Sequence, residues 1–406
     1  MSAARRFLPR PSWSVPAVSG LVLLFVVAHF AHHLVTALVV PLLPFIRDEF
    51  GLDYTRAALV VSAFAVPYGI AQLPSGWLAD RVGPRLLLLV GTSGVASTGL
   101  LVGVSTSYML LLASLALMGL LGGGYHPSAP TVISSVTDPA HRGSALGLHM
   151  IGGSASYFIA PLVAAALSTA WGWRSSFVAL ALPAIAFGFV FYAILGRRTG
   201  GEAAGPVARK TGEDADDIVA NRRPLIAVLV LSCLTAAAII SAISSVPLFL
   251  VDVHGFEEHE AAVAIALFYS TGLWASVLGG YVSDRLGRVG VIVALALLSG
   301  PALMMLGMGG GVVMVMGMLL VLGIALYTRA PASEAYIVAW SSPKNRSTIL
   351  GFYYFGAMES GGVLAPVVGF LIDRFGFTVA YAVSGIALLA VAVVCSAFLF
   401  RHRRTA

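Results

Sequence analysis

Residues 76–85 read GWLADRVGPR, and residues 280–289 read GYVSDRLGRV. Each copy sets an acid beside a base between two glycines, Gly76-Asp80-Arg81-Gly83 in one and Gly280-Asp284-Arg285-Gly287 in the other. Their separation of 204 residues recurs along the chain. At the same offset Asp48 meets Asp252, Gly51 meets Gly255, Arg142 meets Arg346, Gly147 meets Gly351 and Gly172 meets Gly376. One offset that holds from residue 48 to residue 172 marks an internal duplication, and any fold must accommodate it.

The surroundings of these motifs set the solvent. Of 406 residues, 58% are hydrophobic and 10% charged, with a mean hydropathy of +0.92, outside the range of soluble domains. Runs such as VPAVSGLVLLFVVAHFAHHLVTALVVPLLPFI (15–46) and FTVAYAVSGIALLAVAVVCSAFLF (377–400) exceed the roughly 20 residues that a helix needs to cross hydrocarbon. The alternation of barrel strands is absent. Twelve transmembrane helices are expected, at 16–45, 55–80, 84–104, 107–136, 143–170, 174–196, 224–250, 259–283, 289–308, 311–339, 346–372 and 377–400. The first is too long for a signal-peptide core and lacks a small-residue cleavage site, so it is kept as a span. Cys233 and Cys395 stand alone in spans 7 and 12, which argues against a disulfide or a metal thiolate site.

The net charge of +6 is distributed unevenly. Of 24 Lys and Arg, 19 fall on the face that carries both chain ends, and four (Arg47, Arg56, Arg174 and Arg374) on the other. The positive-inside rule then places both termini in the cytoplasm of a multi-pass inner-membrane protein. The bases are spread over short segments, so no nucleic-acid partner is expected. Residues 197–223 are polar, Gly-rich and of mixed charge, and read as a cytoplasmic linker. The expected domains are a first six-helix bundle at 1–196 and a second at 224–406.

Two bundles in the same orientation imply a pseudo-twofold axis along the membrane normal and a site where the repeats meet. On these motifs, and over essentially its whole length, the chain resembles the major facilitator superfamily of transporters. The resemblance implies two pseudo-symmetric six-helix bundles and a cytoplasmic gate that holds them together when the chamber opens outward. Gly76, Leu78, Ala79, Asp80, Arg81, Gly83 and Arg85 take the gate positions, and Pro84 stands where a basic residue is usual. Asp80 lies at the C-terminal end of span 2, where the helix dipole disfavours a carboxylate, so it needs a base such as Arg81, Arg85 or Arg142. Gly280, Asp284, Arg285, Gly287, Arg288 and Arg346 are their counterparts in the second copy. Topology alone would call for the bases but not for the acid.

Three charged residues fall inside spans: Arg329 and Glu334 in span 10 and Glu359 in span 11. Each costs roughly 2.5–3.5 kcal/mol at the bilayer centre on insertion scales, so each should face the protein interior. Arg329 and Glu359 lie at similar depth and are expected to pair; Glu334 is expected to face elsewhere. Five histidines also lie in spans, His29, His32 and His33 in span 1, His126 in span 4 and His149 in span 5. Positions 29, 32, 33 and 36 share one helical face, which would line the cavity. Imidazole changes charge near neutral pH, so these histidines are either packing residues or proton carriers. A metal site on the i, i+4 pair His29 and His33 is disfavoured, because no carboxylate or Cys stands beside them. No metal or other cofactor is expected.

Helix breakers occur at corresponding depths in spans 4 (GGGYHPSAP, 122–130) and 10 (YTRAPASEA, 327–335). Matching interruptions in two repeats point to a binding site, or else to packing kinks. The span 4 stretch GLLGGGYHPSAPTVISSV and the following HRGSALGLHMIGGSASYFIAPLVA are similar to the fosmidomycin-resistance branch of the superfamily. In span 1 His32 and His33 stand where that branch commonly has an Asn-Asp pair. The helix 5 antiporter motif survives only as small residues, and the span 4 Arg of drug antiporters is missing.

The resulting expectation is a monomeric secondary transporter of a small organic solute, coupled to protons, with antiport efflux preferred. Uptake of an organic anion is the alternative, and a non-transporting sensor or membrane enzyme the remote one; no nucleotide or hydrolase motif is present. Arg329 would attract the anionic group, and Glu359 or a span 1 histidine would carry the proton. Tyr327 and Tyr353 complete the candidate set.

Overall fold

The computed structural model describes residues 20–138, 141–198, 222–341 and 346–402, apart from the side chains of Asp80, Arg222, Arg346, Ser347, Thr348, Met358 and His402. Most of the expected linker, and the side chains of two expected gate residues, Asp80 and Arg346, therefore lie outside the described residues. The described chain is helical. Nine helices are long and apolar enough to cross a bilayer, ten when the bent pair Glu258–Leu273 and Ala275–Leu286 is counted as one span. The shorter Gly20–Thr36 and a break at Gly376 complete the twelve expected spans.

We number these helices as the spans. α1 is Gly20–Thr36, α2 Tyr54–Val82, α3 Pro84–Gly103, α4 Tyr108–Val136, α5 Arg142–Trp171 and α6 Trp173–Arg198. In the second repeat α7 is Arg222–His254, α8 the bent pair, α9 Arg288–Gly307 and α10 Val312–Trp340. α11 covers 346–375 and α12 covers 377–402. A short helix, Leu43–Phe50, follows α1 on the face opposite the chain ends, here called the far face.

Local chemistry sets many of the corners. Asp53 and Ser107 cap α2 and α4 by accepting from the backbone of Arg56 and Leu110, and Glu257 with Glu260 forms a capping box on α8. The duplication is written in the backbone as well. Gly51 and Gly255 (φ 59° and 69°), Gly83 and Gly287 (83° and 89°), and Gly172 and Gly376 (77° and 78°) each take a positive φ, and each pair is 204 residues apart. A side chain at these corners would be strained.

The repeats meet along α2 with α11 and α5 with α8. Glycine permits the first approach: a Cβ added at Gly69 would lie 2.7 Å from Glu359 Cγ, and one at Gly369 2.6 Å from the Tyr54 carbonyl. Ser62 Oγ donates to the Gly362 carbonyl at 2.5 Å. Past Gln72, toward the chain ends, Leu73 and Trp77 are both 56% exposed. Among the described residues, the hydrogen bonds and ion pairs that join the bundles lie between Gln72 and the far face.

A polar lock closes the far face. Asp373, at the end of α11, accepts the Tyr54 and Thr55 backbone N–H groups at 2.9 Å and the Thr55 hydroxyl at 2.5 Å. A carboxylate from one repeat thus satisfies orphan amides at a helix N-terminus of the other, where the dipole favours negative charge. Beside it Arg47 pairs with Asp252, and the Tyr54 hydroxyl donates to Asp252 at 2.7 Å. Hydrogen bonds to a charged group are worth about 1.5–3 kcal/mol each. Asp373→Ala is expected to raise the far-face-open population at least about tenfold. Distances between spin labels at Met109 and Met308 check this; an unchanged distribution would remove the lock.

A second tie lies within the first repeat. Arg174 Nη1 and Trp173 Nε1 donate to Glu49 Oε2 at 2.5 and 2.7 Å. The Arg174 bond, with a smaller contribution from Trp173, holds the Glu49 carboxyl below its ordinary 4.5. A folded value below the unfolded one means that the tie stabilises above pH 4.5 and is lost as pH falls through the depressed value. Protection of Leu43–Phe50 against hydrogen exchange, taken relative to the intrinsic rate at each pH, is expected to fall below pH 4.5 and to be flat above it. With Glu49 partly exposed the effect is small.

Candidate substrate and coupling site

The polar stripe of α1 is buried: His29, His32, His33 and Thr36 are 1%, 0%, 7% and 5% exposed. It faces the interior of the first repeat rather than an open chamber. His32 donates from Nδ1 to the Gly91 carbonyl at 2.6 Å, and its Nε2 accepts from the Tyr68 hydroxyl at 2.9 Å. Gly91 sits in a π-helical turn of α3, Val90–Gly94, a distortion that disturbs the regular carbonyl ladder. His29 donates from Nδ1 to the His149 carbonyl at 2.9 Å, and His149 from Nδ1 to the Phe25 carbonyl at 3.1 Å. The rings of His29 and His149 stack at 4.2 Å, and those of His32 and Tyr125 at 4.3 Å. All five predicted histidines thus meet in one cluster built from α1, α4 and α5.

The cluster reaches the repeat boundary through Tyr157 of α5. Its ring lies 5.0 Å from that of His33 and 5.3 Å from that of Tyr269 on α8. Next to it Gly272 leaves room for the Tyr327 ring, which an added Cβ would approach to 3.0 Å.

Glu359 is 7% exposed and lies at the end of a second π-helical turn, Phe355–Glu359, in α11. Gln72 Nε2 of α2 donates to its Oε1 at 3.2 Å across the repeat boundary. Arg329 is 1% exposed, and its Nε and Nη1 have no hydrogen-bond partner. Around it lie Tyr353, Cys233 and Glu334, within electrostatic reach, and Glu334 is hydrogen-bonded to Tyr354.

Two expectations about this region fail. Arg329 and Glu359 form no ion pair: depth along two helices matches, but Glu359 is turned to α2 while Arg329 is packed among α7, α10 and α11. Glu334, expected to face away, is the carboxylate near Arg329. The paired interruptions also differ from the expectation. α4 breaks at Gly123 and Gly124, but α10 runs through Pro331, and the break in the second repeat is in α8, at Thr271–Leu273 and Trp274.

The bases expected at the chain-end gate are held within their own repeats. Arg81 stacks on Trp77 at 3.9 Å, Arg85 stacks on Tyr192 at 3.8 Å and donates to its carbonyl at 2.9 Å, and Arg142 donates to the Thr137 carbonyl at 3.3 Å. In the second repeat Arg285 lies over Tyr281 at 4.3 Å, and Arg288 reaches Asp284 at 3.5 Å and the Ala335 carbonyl at 3.0 Å. None of these side chains has a partner across the repeats among the contacts found for the described residues.

Tyr68, Gln72, Tyr157 and Tyr269 were not singled out from sequence. Gln72 was findable, since it is the chain's sole glutamine and falls inside a span; the tyrosines carry no such signal.

A helical membrane protein built as a parallel repeat, with buried polar groups inside each repeat and Gln72 bonded to Glu359 across their boundary, is a membrane transporter in architecture. The chain belongs to the Major Facilitator Superfamily, whose sequence pattern matches residues 25–271 and again 228–406. It is 28% identical over 389 residues to a probable sulfoacetate transporter of Cupriavidus necator, covering 88% of this chain and 87% of that one. It is 26% identical over 388 residues to a multidrug resistance protein of Enterobacter lignolyticus, covering 91% and 90%. A bacterial homolog of the human lysosomal transporter Spinster, in an inward-facing and unoccupied conformation, has the same fold, with a TM-score of 0.73 at 19% identity over 97% and 98% of the chains.

Proposed function

We propose that this transporter carries a small organic anion by alternating access, together with a proton, between bundles 1–196 and 224–406. Arg329 is the cation that receives the anion, and Glu359 carries the proton. The carrying observation is the buried guanidinium with two unpartnered nitrogens. Such a group is costly until an acceptor arrives, and carboxylate and sulfonate oxygens suit a guanidinium fork. The sulfoacetate transporter among its relatives supports the same class of cargo.

The separation of Arg329 from Glu359 bears on direction. Export by exchange would follow from competition between cargo and Glu359 for Arg329, and that competition needs a pair that is not formed. An anion bound at Arg329 instead adds negative charge beside Glu334 and, from further off, toward Glu359, so proton binding and anion binding favour each other, and such coupling is reciprocal. Proton and anion then travel together, as in uptake. Export remains the second reading, favoured by the multidrug resistance relative. The charge bias supports placing both ends in the cytoplasm of the inner membrane; the chain-end face is then cytoplasmic, and Asp80, Arg81, Arg85, Arg142 and their counterparts form the gate there. The Tyr125-His126-Pro127 stretch supports a place near the fosmidomycin-resistance branch, and we take the monomer as the working unit.

Proteoliposomes given sulfoacetate test this reading. An acid outside is expected to drive accumulation at least about tenfold above exchange without a gradient. Flux no greater than in protein-free liposomes, across sulfonates and sugar acids, would defeat it.

A further inference from the structure

We propose that His29, His33 and His126 form a three-nitrogen binding site for a divalent transition-metal ion of the zinc class, inside the first repeat. One ring nitrogen from each of the three lies within 4.8 Å of the others. The ring centroids form a nearly equilateral triangle with sides of 5.0, 5.1 and 5.2 Å. His33 Nε2 and His126 Nε2 stand 3.1 Å apart and share one hydrogen bond, His126 donating when His33 Nδ1 is protonated, so His126 moves that proton to its own Nδ1 when an ion enters. Two ligands at 2.0–2.1 Å on a tetrahedral ion would be about 3.3 Å apart, so that edge is already nearly formed.

Hydrogen bonding at the far side of two rings prepares the same atoms. His29 gives its Nδ1–H to the His149 carbonyl, which leaves Nε2 with a free lone pair. His33 Nδ1 faces Thr36 Oγ1 at 3.3 Å, and that hydroxyl has its own proton committed to the His33 carbonyl at 3.2 Å. Thr36 can therefore accept from His33 Nδ1, which again leaves Nε2 as the ligand atom. An outer partner that orients a ligating imidazole in this way is a recurrent feature of metal sites. His32 is excluded, because Gly91 and Tyr68 engage both of its nitrogens.

The sequence argued against a metal here for want of a third ligand beside the pair on α1. The fold brings that ligand from α4, 93 residues away. An all-nitrogen set selects zinc, cobalt, nickel or copper over magnesium and calcium, which need oxygen. Three neutral imidazoles leave a coordination position open and two positive charges uncompensated, so water, hydroxide or another anion completes the shell. His126 is the least buried of the three.

The test is titration with Co(II) of the full-length transporter, purified on a tag free of histidine and stripped with chelator. We expect strong visible absorption bands of a tetrahedral ion, saturating near one per chain, lost on adding Zn(II) and kept on adding Mg(II). His33→Gln and His126→Gln should each weaken binding at least about 100-fold, since loss of an outer partner alone costs 10–100-fold. His259→Gln, at the far face, should leave it within about threefold. Thermal unfolding of each variant confirms that it is folded. Absence of the bands, or bands that survive in both folded variants, overturns the site. Metal binding is read without transport, so its failure leaves the anion reading standing, and failure of anion transport leaves the metal site standing.

Discussion

Replacing Arg329 with methionine is expected to stabilise the empty transporter and to weaken its affinity for anions at least about 30-fold. The guanidinium is 1% exposed, and two of its nitrogens have no partner. Replacing buried ionic groups, even paired ones, by apolar side chains of similar volume is often neutral or stabilising by about 1–4 kcal/mol, and Arg329 has two donors with no bond to lose. The same change removes the cation that meets the cargo, at about 2–5 kcal/mol, or a factor of roughly 30 to several thousand in affinity. Thermal unfolding in detergent measures both. The midpoint of the empty variant should rise by several degrees, and its increase on adding sulfoacetate should vanish. Arg329→Lys should keep the charge and lose the fork, and so bind weakly. A methionine variant that unfolds earlier and still responds to anions would show that Arg329 is a structural residue.

The second large effect is expected from Glu359→Gln. The amide keeps the size of the side chain and an oxygen for Gln72, so the contact between α2 and α11 is retained. It cannot exchange a proton. Accumulation driven by a proton gradient should fall at least about tenfold, to the level reached without a gradient, while exchange of labelled for unlabelled anion without a gradient should stay within a few-fold. The proton-transfer step contributes nothing to exchange, and the loss is therefore confined to coupling. Gradient-driven accumulation at the original level would move the proton to Glu334 or a histidine.

Much of the architecture was readable because hydrocarbon imposes it. Twelve spans, the duplication and the corners at Gly83 and Gly287 follow from run length, spacing and the backbone freedom of glycine. The identities of the buried polar residues were readable for the same reason, since His29, Arg329 and Glu359 each cost too much against lipid. Their partners were not. Depth along a helix is a one-dimensional quantity, and it matched Arg329 with Glu359 without saying which wall each faces. The π-helical turns at Val90–Gly94 and Phe355–Glu359 alter that azimuth, and nothing in the composition announces them. Asp373 escaped notice because its partners are backbone amides of Tyr54 and Thr55, which have no sequence signature. The bend in α8 at Trp274 has no proline to mark it.

The position of the Asp373 latch has a thermodynamic consequence. It lies at the rim, where water can take over both the carboxylate and the freed amides as soon as they separate. Opening therefore strands nothing in hydrocarbon, and the free-energy difference between shut and ajar stays within a few kcal/mol. A bound solute can reverse a bias of that size through its own unequal affinity for the two shapes, whereas the same contacts at mid-depth would have frozen the machine in one of them.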